Sequence, residues 1–267
     1  MKGKNFMISL IMATLGRKNE VDRCLQSLCM QTYTSFELII VDQNHEQFLS
    51  DIIKKYEDKI RINHILTAEK GLSKARNLGL KYVHGDIIGF PDDDCVYRDD
   101  TLKNVVSFMR GDADAVTGTV ISNLHQLPGN MVRSVNIYNV WRRGISFTIF
   151  FKRHVFEKVG YFDEMLGVGS GTVYGSGEET DYLIRILKAG FCLQNTDSIL
   201  VWHPTVDYSN YKKAYNYSKG RMYVLNKHRY NFFFIQANTF WPLAKVIRHF
   251  YNIRKVKYCW YQFLGRL

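Results

Sequence analysis

Along the first hundred residues, apolar runs alternate with segments whose apolar positions recur at helical spacing. Residues 6–13 form an apolar run, the pattern of a strand covered on both faces. A turn through Thr14-Leu15-Gly16-Arg17 leads into residues 20–30, where Val21, Leu25 and Leu28 share one helical face. A second buried strand, 36–41, closes on Asp42. Residues 48–56 are helical, 60–66 alternate as a third strand, 72–83 form a helix carrying Ala75-Arg76-Asn77-Leu78-Gly79, and 86–90 form a fourth strand. Strands alternating with helices predict βαβ crossovers and a mainly parallel central sheet flanked by helices. Beyond a helix at 99–109 the pattern loosens. Strands at 113–121 and 145–151 are separated by a polar connection at 122–130, and a helix end and turn occupies 156–163. A glycine-rich stretch, 167–177, precedes an apolar helix at 182–188, and a buried strand, 198–202, ends at His203-Pro204.

Open sheets of this kind bind ligands at the carboxyl ends of their strands. Thr14 and Arg17 follow the first strand, Asp42 the second, and Asp92, Asp93 and Asp94 the fourth, so all gather along one edge. An apolar run driven into three adjacent carboxylates costs electrostatic free energy unless a positive charge sits among them, and a divalent cation carrying a phosphate ligand meets that need. A solvated acidic turn is the plain alternative. The turn after the first strand reads ATLGRKN, with no GxGxxG, which removes most of the weight from a dinucleotide-dependent dehydrogenase.

Composition narrows the class further. The 267 residues are 46% hydrophobic with 4 prolines, enough for a full folded core. The five cysteines show no CxxC spacing and offer no zinc site. The formal charge of +11 is carried entirely by one region: residues 1–204 hold 24 basic and 24 acidic residues, residues 205–267 hold 12 basic residues and one acid, Asp207. A neutral body with a basic, aromatic tail points to an anionic membrane surface or a nucleic acid as partner. The opening MKGKNFMISLIMATLGRK is basic then apolar like a short signal peptide, but it lacks a small-x-small cleavage site and is expected to be a buried first strand. The longest uncharged run in the tail, 230–244, is 15 residues broken by Asn231, Gln236, Asn238, Thr239 and Pro242, too short and too polar to span a bilayer.

Two acidic clusters and one histidine, each at the end of a regular element, suggest one shared site. Asp92 and Asp94, two apart in extended chain, point to the same side and suit a metal and a ribose hydroxyl. Mg²⁺ or Mn²⁺ prefers such oxygen ligands, and His203 completing the sphere suits Mn²⁺. Glu178, Glu179 and Asp181 exceed what a helix N-terminus requires of its first turn, so one of them is free to serve as a carboxylate base. Metal, diphosphate and base together fit transfer of a sugar from a nucleotide diphosphate to a hydroxyl, a single displacement that inverts the anomeric centre.

At these residues the chain resembles a known family. SLIMATLGR, Asp42 at the end of the second strand, KGLSKARNLG, FPDDDC, GSGEETD and the following WHP, in that order, are similar to the family 2 glycosyltransferases of GT-A fold, over about residues 6–204. The resemblance implies a GT-A nucleotide-diphospho-sugar transferase domain at 1–204, with a nucleotide-sugar half at about 1–95 and an acceptor half at about 96–204. It implies a metal-dependent inverting hexosyltransferase of the bacterial polysaccharide, capsule or O-antigen type. Ala13, Thr14, Arg17, Asp42, Arg76, Asp92 and Asp93 are then expected at the nucleotide sugar, Asp93, like Cys95, chiefly as a filler within the turn. Asp94, Asp92 and His203 are expected at a Mn²⁺ or Mg²⁺ ion. Trp141, Gly177 and Glu178 are expected at the acceptor. The family usually carries Glu-Asp after the glycine-rich loop with the Asp as base. This chain has Glu178-Glu179, so the base is expected to be Glu179, with Asp181 as the alternative. UDP is the nucleotide the resemblance favours.

Residues 205–267 are expected to form a basic, aromatic helical extension. Leu243, Val246, Ile247, Phe250 and Ile253 recur at helical spacing among Lys245, Arg248, Arg254, Lys255 and Lys257, the composition of a helix lying in the headgroup layer. Packing on the catalytic domain, or on a second subunit of a homodimer, is the alternative. By analogy with the family, the expectation is a cytoplasmic enzyme held peripherally at the inner face of the bacterial plasma membrane, acting on a saccharide or lipid-linked saccharide acceptor and not on nucleic acid. A sugar nucleotidyltransferase would want a glycine- and lysine-rich phosphate loop after the first strand, which is absent. A non-catalytic nucleotide- or nucleic-acid-binding relative would have no need of the carboxylate clusters.

Overall fold

The structure, a computed structural model, describes residues 6–205 and 207–267. The basic residues at 1–5, which open the segment expected to form the first strand, lie outside the described residues. The first half alternates as the apolar pattern predicts: β1 (Ile8–Thr14), α1 (Lys18–Cys29), β2 (Phe36–Asp42), α2 (Ser50–Tyr56), β3 (Arg61–Leu66), α3 (Leu72–Leu80) and β4 (Ile87–Gly89). Then follow β5 (Val96–Tyr97), α4 (Thr101–Met109), β6 (Ala115–Ile121), β7 (Val132–Ser134), β8 (Ile149–Lys152), α5 (Arg153–Val159), α6 (Glu178–Lys188) and β9 (Leu193–Trp202). The C-terminal region holds α7 (Tyr211–Lys227), α8 (Phe232–Arg248) and α9 (Ile253–Leu264).

The strands form one sheet in the order β3-β2-β1-β4-β8-β6-β9-β5, with β7 also on β9. β3, β2, β1 and β4 are mutually parallel, as βαβ crossovers require. The second half is mixed: β8 runs antiparallel between β4 and β6, β6 and β9 are parallel, and β5 and β7 lie antiparallel to β9. The parallel register sets Thr14 opposite Asp42, so both side chains arrive at the same carboxyl edge.

The core lies beneath that edge. Ile8, Leu10, Met12, Leu38 and Ile40 are fully buried against Val21, Leu25 and Leu28 of α1. Each such side chain stabilises the fold by about 1.5–3 kcal/mol relative to exposure. On α3 the approach is closer still: a Cβ on Gly79 would sit 2.4 Å from Ile11 Cγ2. The absent side chain lets α3 lie directly on β1, which holds Arg76 one turn earlier at the sheet edge.

Several elements differ from the apolar pattern: β5 and β7 are not among the expected elements, α5 spans Arg153–Val159, and α6 begins at Glu178. The strand expected at 198–202 begins at Leu193, because polar Asn195 is buried by its own bonds, its Nδ2 donating to Thr117 O and Gly118 O at 3.1 Å each. The strand expected at 145–151 starts with a 3₁₀ turn, Ser146–Thr148, before β8. The helical periodicity through 243–253 is divided between α8 and α9, since Asn252 adopts an extended backbone and its side chain caps α9 by accepting from Lys255 N.

The chain divides into two compact units. One holds the described residues up to Lys70, Lys74–Phe162 and Tyr182–Pro204. The other holds Gly71–Ser73, Asp163–Asp181 and Thr205–Leu267, so the glycine-rich segment is grouped with the C-terminal helices. Within this second unit α7 and α8 both pack on α9. Ser176 is pressed against α7, where a Cβ on Gly220 would lie 2.0 Å from Ser176 O. Among the described residues no helix is long and apolar enough to cross a membrane.

Candidate active site

In the sheet-bearing unit the three aspartates follow β4, and cations from three elements converge on them. Arg76, only 2% exposed, donates from Nη2 to Asp92 Oδ1 at 3.0 Å, its guanidinium 5.8 Å from the Phe90 ring and 5.7 Å from that of Phe162. Arg17, at the start of α1, donates from Nη1 to Asp93 Oδ1 at 3.0 Å and also to Asp94 Oδ2. Ser146 Oγ lies 3.4 Å from Asp92 Oδ1. The charge cost of an acidic triplet is therefore already partly offset from within the chain.

The three carboxyls are not equivalent. Burial pushes Asp93 up to about 6, outweighing the pull of the Arg17 guanidinium. Asp94 is held down to about 2: burial opposes its charge, but the hydrogen bond and charge of His203, with Arg17, more than offset burial. Asp94 is thus a firmer anion than Asp93, the property a metal ligand needs.

His203 follows β9. Its ring stacks on Phe147, centroids 4.6 Å apart and planes within 6°, its Nδ1 lies 2.8 Å from Pro204 O, and its Nε2 lies 3.1 Å from Asp94 Oδ1. A proton on Nδ1 donated to that carbonyl leaves Nε2 as the ligand atom, the arrangement a metal-bound imidazole uses. Ligand atoms of Asp92, Asp94 and His203 lie within 4.8 Å of one another. Two carboxylates and one imidazole fit Mn²⁺ or Mg²⁺ by donor type.

The other strand ends complete the edge. Asp42, fully buried, accepts from Asn44 N at 2.9 Å and Asn44 Nδ2 at 2.7 Å, and lies 3.0 Å from His64 Nε2. Asn44 Oδ1 accepts from Gly16 N at 2.7 Å, so the turn after β2 ties down the turn after β1 that carries Arg17. Thr14 is buried at the end of β1, Ala13 half-buried beside it, and Trp141 half-buried on the 3₁₀ turn Val140–Arg142.

In the second unit, Gly177 and Glu178 are buried and Glu179 is half-buried. Gly177 O accepts from Asp181 N at 2.8 Å. Asp181 is fully buried, with Lys227 Nζ at 2.8 Å and His228 Nε2 at 2.9 Å. Lys227 also reaches Asp163 Oδ2 at 2.7 Å; burial opposes its charge, but the two carboxylates raise its pKa. Asp181 is therefore a charge partner of α7, whereas Glu179 keeps partial exposure.

Asn44, His64, Ser146, Phe147, Lys227 and His228 were not singled out by the sequence pattern. Asn44 had a local signal, two residues past a strand-ending aspartate, where a side chain closes a turn. The others are brought to their partners only by long-range folding.

A parallel β3-β2-β1-β4 edge ending in an Asp triplet, with a late histidine returning to it, defines a GT-A glycosyltransferase fold. The chain superposes on the Pyrobaculum calidifontis mannosyltransferase PcManGT, solved with GDP-Man and Mn²⁺, with a TM-score of 0.72 at 12% identity, covering 97% of this chain and 86% of that one. The chain belongs to glycosyl transferase family 2, whose model matches residues 9–162. It is similar to the glycosyltransferase AglE of Haloferax volcanii, 23% identical over 251 residues, 89% of this chain and 80% of AglE. It is also similar to WfgD of Escherichia coli, a UDP-Glc:alpha-D-GlcNAc-diphosphoundecaprenol beta-1,3-glucosyltransferase, 29% identical over 127 residues, 44% of this chain and 49% of WfgD. The chain spans about a fifth of the length of several other curated relatives.

Proposed function

We propose that this glycosyltransferase moves a hexosyl group from a UDP-sugar to a hydroxyl of a lipid-linked saccharide, with inversion, at a membrane surface during polysaccharide synthesis. The observation that carries the reading is the convergence of Asp92, Asp94 and His203 within ligand distance of one another at the strand edge. A divalent cation held there would neutralise the charge that develops on a departing diphosphate. Arg17 and Arg76 already stand against the same carboxylates and would add guanidinium donors for phosphate oxygens. Thr14, Ala13 and the Asp42–Asn44 turn would hold base and ribose. Glu179 is the base in this proposal: it takes the acceptor proton as the acceptor oxygen bonds to the anomeric carbon and the carbon–oxygen bond to the diphosphate breaks. Burial between Lys227 and His228 argues against Asp181 in that role. Trp141, Gly177 and Glu178 are proposed to contact the acceptor.

UDP and a lipid-linked acceptor are supported by the similarity to WfgD, whose substrates are of that kind. Membrane contact is supported by Phe232, Phe233, Ile247, Phe250, Tyr251 and Ile253, all strongly exposed among the cations of α8 and α9. Held by that surface, the enzyme would work peripherally at the inner face of a bacterial plasma membrane. The test is a thermal-shift panel of nucleotide sugars with and without Mn²⁺. A UDP-sugar is expected to raise the melting temperature only with metal, and Asp94→Ala is expected to abolish the shift and the transfer. Unchanged transfer by Asp94→Ala would sink the proposal.

A further inference from the structure

Asp163 and Asp181 stand at the two ends of the glycine-rich stretch of the second unit, and one lysine joins them. Lys227 Nζ, in the last turn of α7, lies 2.7 Å from Asp163 Oδ2 and 2.8 Å from Asp181 Oδ1. Asp163 Oδ1 accepts from Met165 N at 2.9 Å, and its Oδ2 lies 3.4 Å from Tyr223 OH. Between these ends the chain is held to the same helix. Gly175 N donates to Asn216 O at 3.1 Å, Ser176 Oγ donates to Tyr217 O at 2.9 Å, and the Tyr174 ring lies 4.5 Å from that of Tyr223. Gly167 and Gly177 turn the chain into and out of the stretch at φ +99° and +102°. Glycine at those turns leaves the backbone many alternatives, so the anchors on α7 choose among them.

The trailing end of the stretch is the first turn of α6. Asp181 N donates to Gly177 O at 2.8 Å, and Glu179 stands between these two residues. The leading end packs on the same turn, since a Cβ on Gly167 would lie 3.3 Å from Glu178 Cδ. Displacing either end therefore displaces Glu179.

We propose that Lys227 is a positioning residue for sugar transfer: by bridging Asp163 and Asp181 it clasps the glycine-rich stretch and fixes the aim of Glu179 at the acceptor hydroxyl. The inference rests on the reading of Glu179 as the base. Lys227 acts through the two aspartates and not on the substrate. A base must lie within hydrogen-bond reach of the proton it takes, and a misplacement of about 1 Å costs on the order of 10²-fold in rate.

The test compares the full chain with Lys227→Met, Lys227→Arg and Asp163→Asn. Hydrogen exchange read by mass spectrometry reports on residues 164–176 directly. Exchange there is expected to be about tenfold faster in Lys227→Met and Asp163→Asn, and close to the parent rate in Lys227→Arg, which keeps the charge. Kinetics use transfer from UDP-Glc to alpha-D-GlcNAc-diphosphoundecaprenol, the substrate pair of WfgD. If the parent does not turn over that pair, the assay is release of nucleoside diphosphate from the nucleotide sugar with the largest Mn²⁺-dependent thermal shift. In Lys227→Met, kcat should fall about 10- to 100-fold while the donor KM stays within about twofold, and Lys227→Arg should restore most of kcat. If Lys227→Met does not fold, Asp163→Asn carries the test, because it frees only the leading end and leaves Asp181 facing Lys227 and His228. Exchange unchanged in both variants, or faster exchange with kcat unchanged, overturns the proposal. Glu179→Gln in the same assay separates the two readings. Turnover undiminished by Glu179→Gln removes the base and the clasp together, whereas an inactive Glu179→Gln beside a fully active Lys227→Met removes the clasp alone.

Discussion

Asp42 shows how a single carboxylate records its surroundings. Burial raises its pKa, but bonds from His64 and Asn44 outweigh this and hold it below the ordinary value of 3.8. The native state therefore binds that proton less readily than the unfolded chain. The stability Asp42 contributes is complete above the unfolded pKa and is lost as pH falls through the lower native value. Urea denaturation at pH 7, 5, 4 and 3 should show Asp42→Asn destabilised at neutral pH, with the gap to the parent narrowing below pH 4. Glu179 and Asp181, two positions apart, are expected to separate cleanly. Glu179→Gln should melt like the parent, bind donor, and lose about 10²- to 10⁴-fold in kcat. Asp181→Asn removes one of the two carboxylates on Lys227 and the acceptor facing His228 and should cost about 1–3 kcal/mol of unfolding free energy, read by denaturant titration.

Legibility followed how local the causes were. β1, β2 and β4 are mainly apolar, interrupted within the strands only by the hydrogen-bonded pair Ser9 and Glu37, because both faces are covered, so sequence alone marks them. The aspartates, Arg17 and His203 were visible because each sits where a regular element stops. The first half of β9 was hidden because Asn195 and Thr196 are buried through hydrogen bonds with distant strands. The α8–α9 break was hidden because a cap residue interrupts a periodicity that runs on past it. Lys227 and His228 gave no signal at all, being a lysine and a histidine at the end of a basic helix until the fold sets them against Asp181. Gly220 makes the same point sterically. Gly220→Ala should lower stability by about 1–3 kcal/mol, seen as a lower melting temperature, since its Cβ would overlap Ser176 O.

The uneven distribution of charge along the chain acquires a physical meaning once the C-terminal helices are seen. Their exposed rings include Phe233 at 82% and Phe250 at 80% exposure, on a surface with 12 basic residues to one acid across 205–267. Phe233→Ser with Phe250→Ser should abolish flotation with vesicles containing anionic lipid while leaving the melting temperature within a degree or two. Raising salt should weaken the parent's flotation. Flotation unchanged by both treatments would rule the surface out.

The grouping of residues 163–181 with 205–267 has a consequence for engineering. Deleting everything after Asp207 would remove Lys227 and His228, which pair with a fully buried Asp181, so loss of activity in such a truncation would report collapse of the glycine-rich segment and not loss of an anchor. By the same logic, chimaeras between relatives should exchange the two stretches together. A donor-swapped tail grafted without its own loop would inherit a lock cut for a different key.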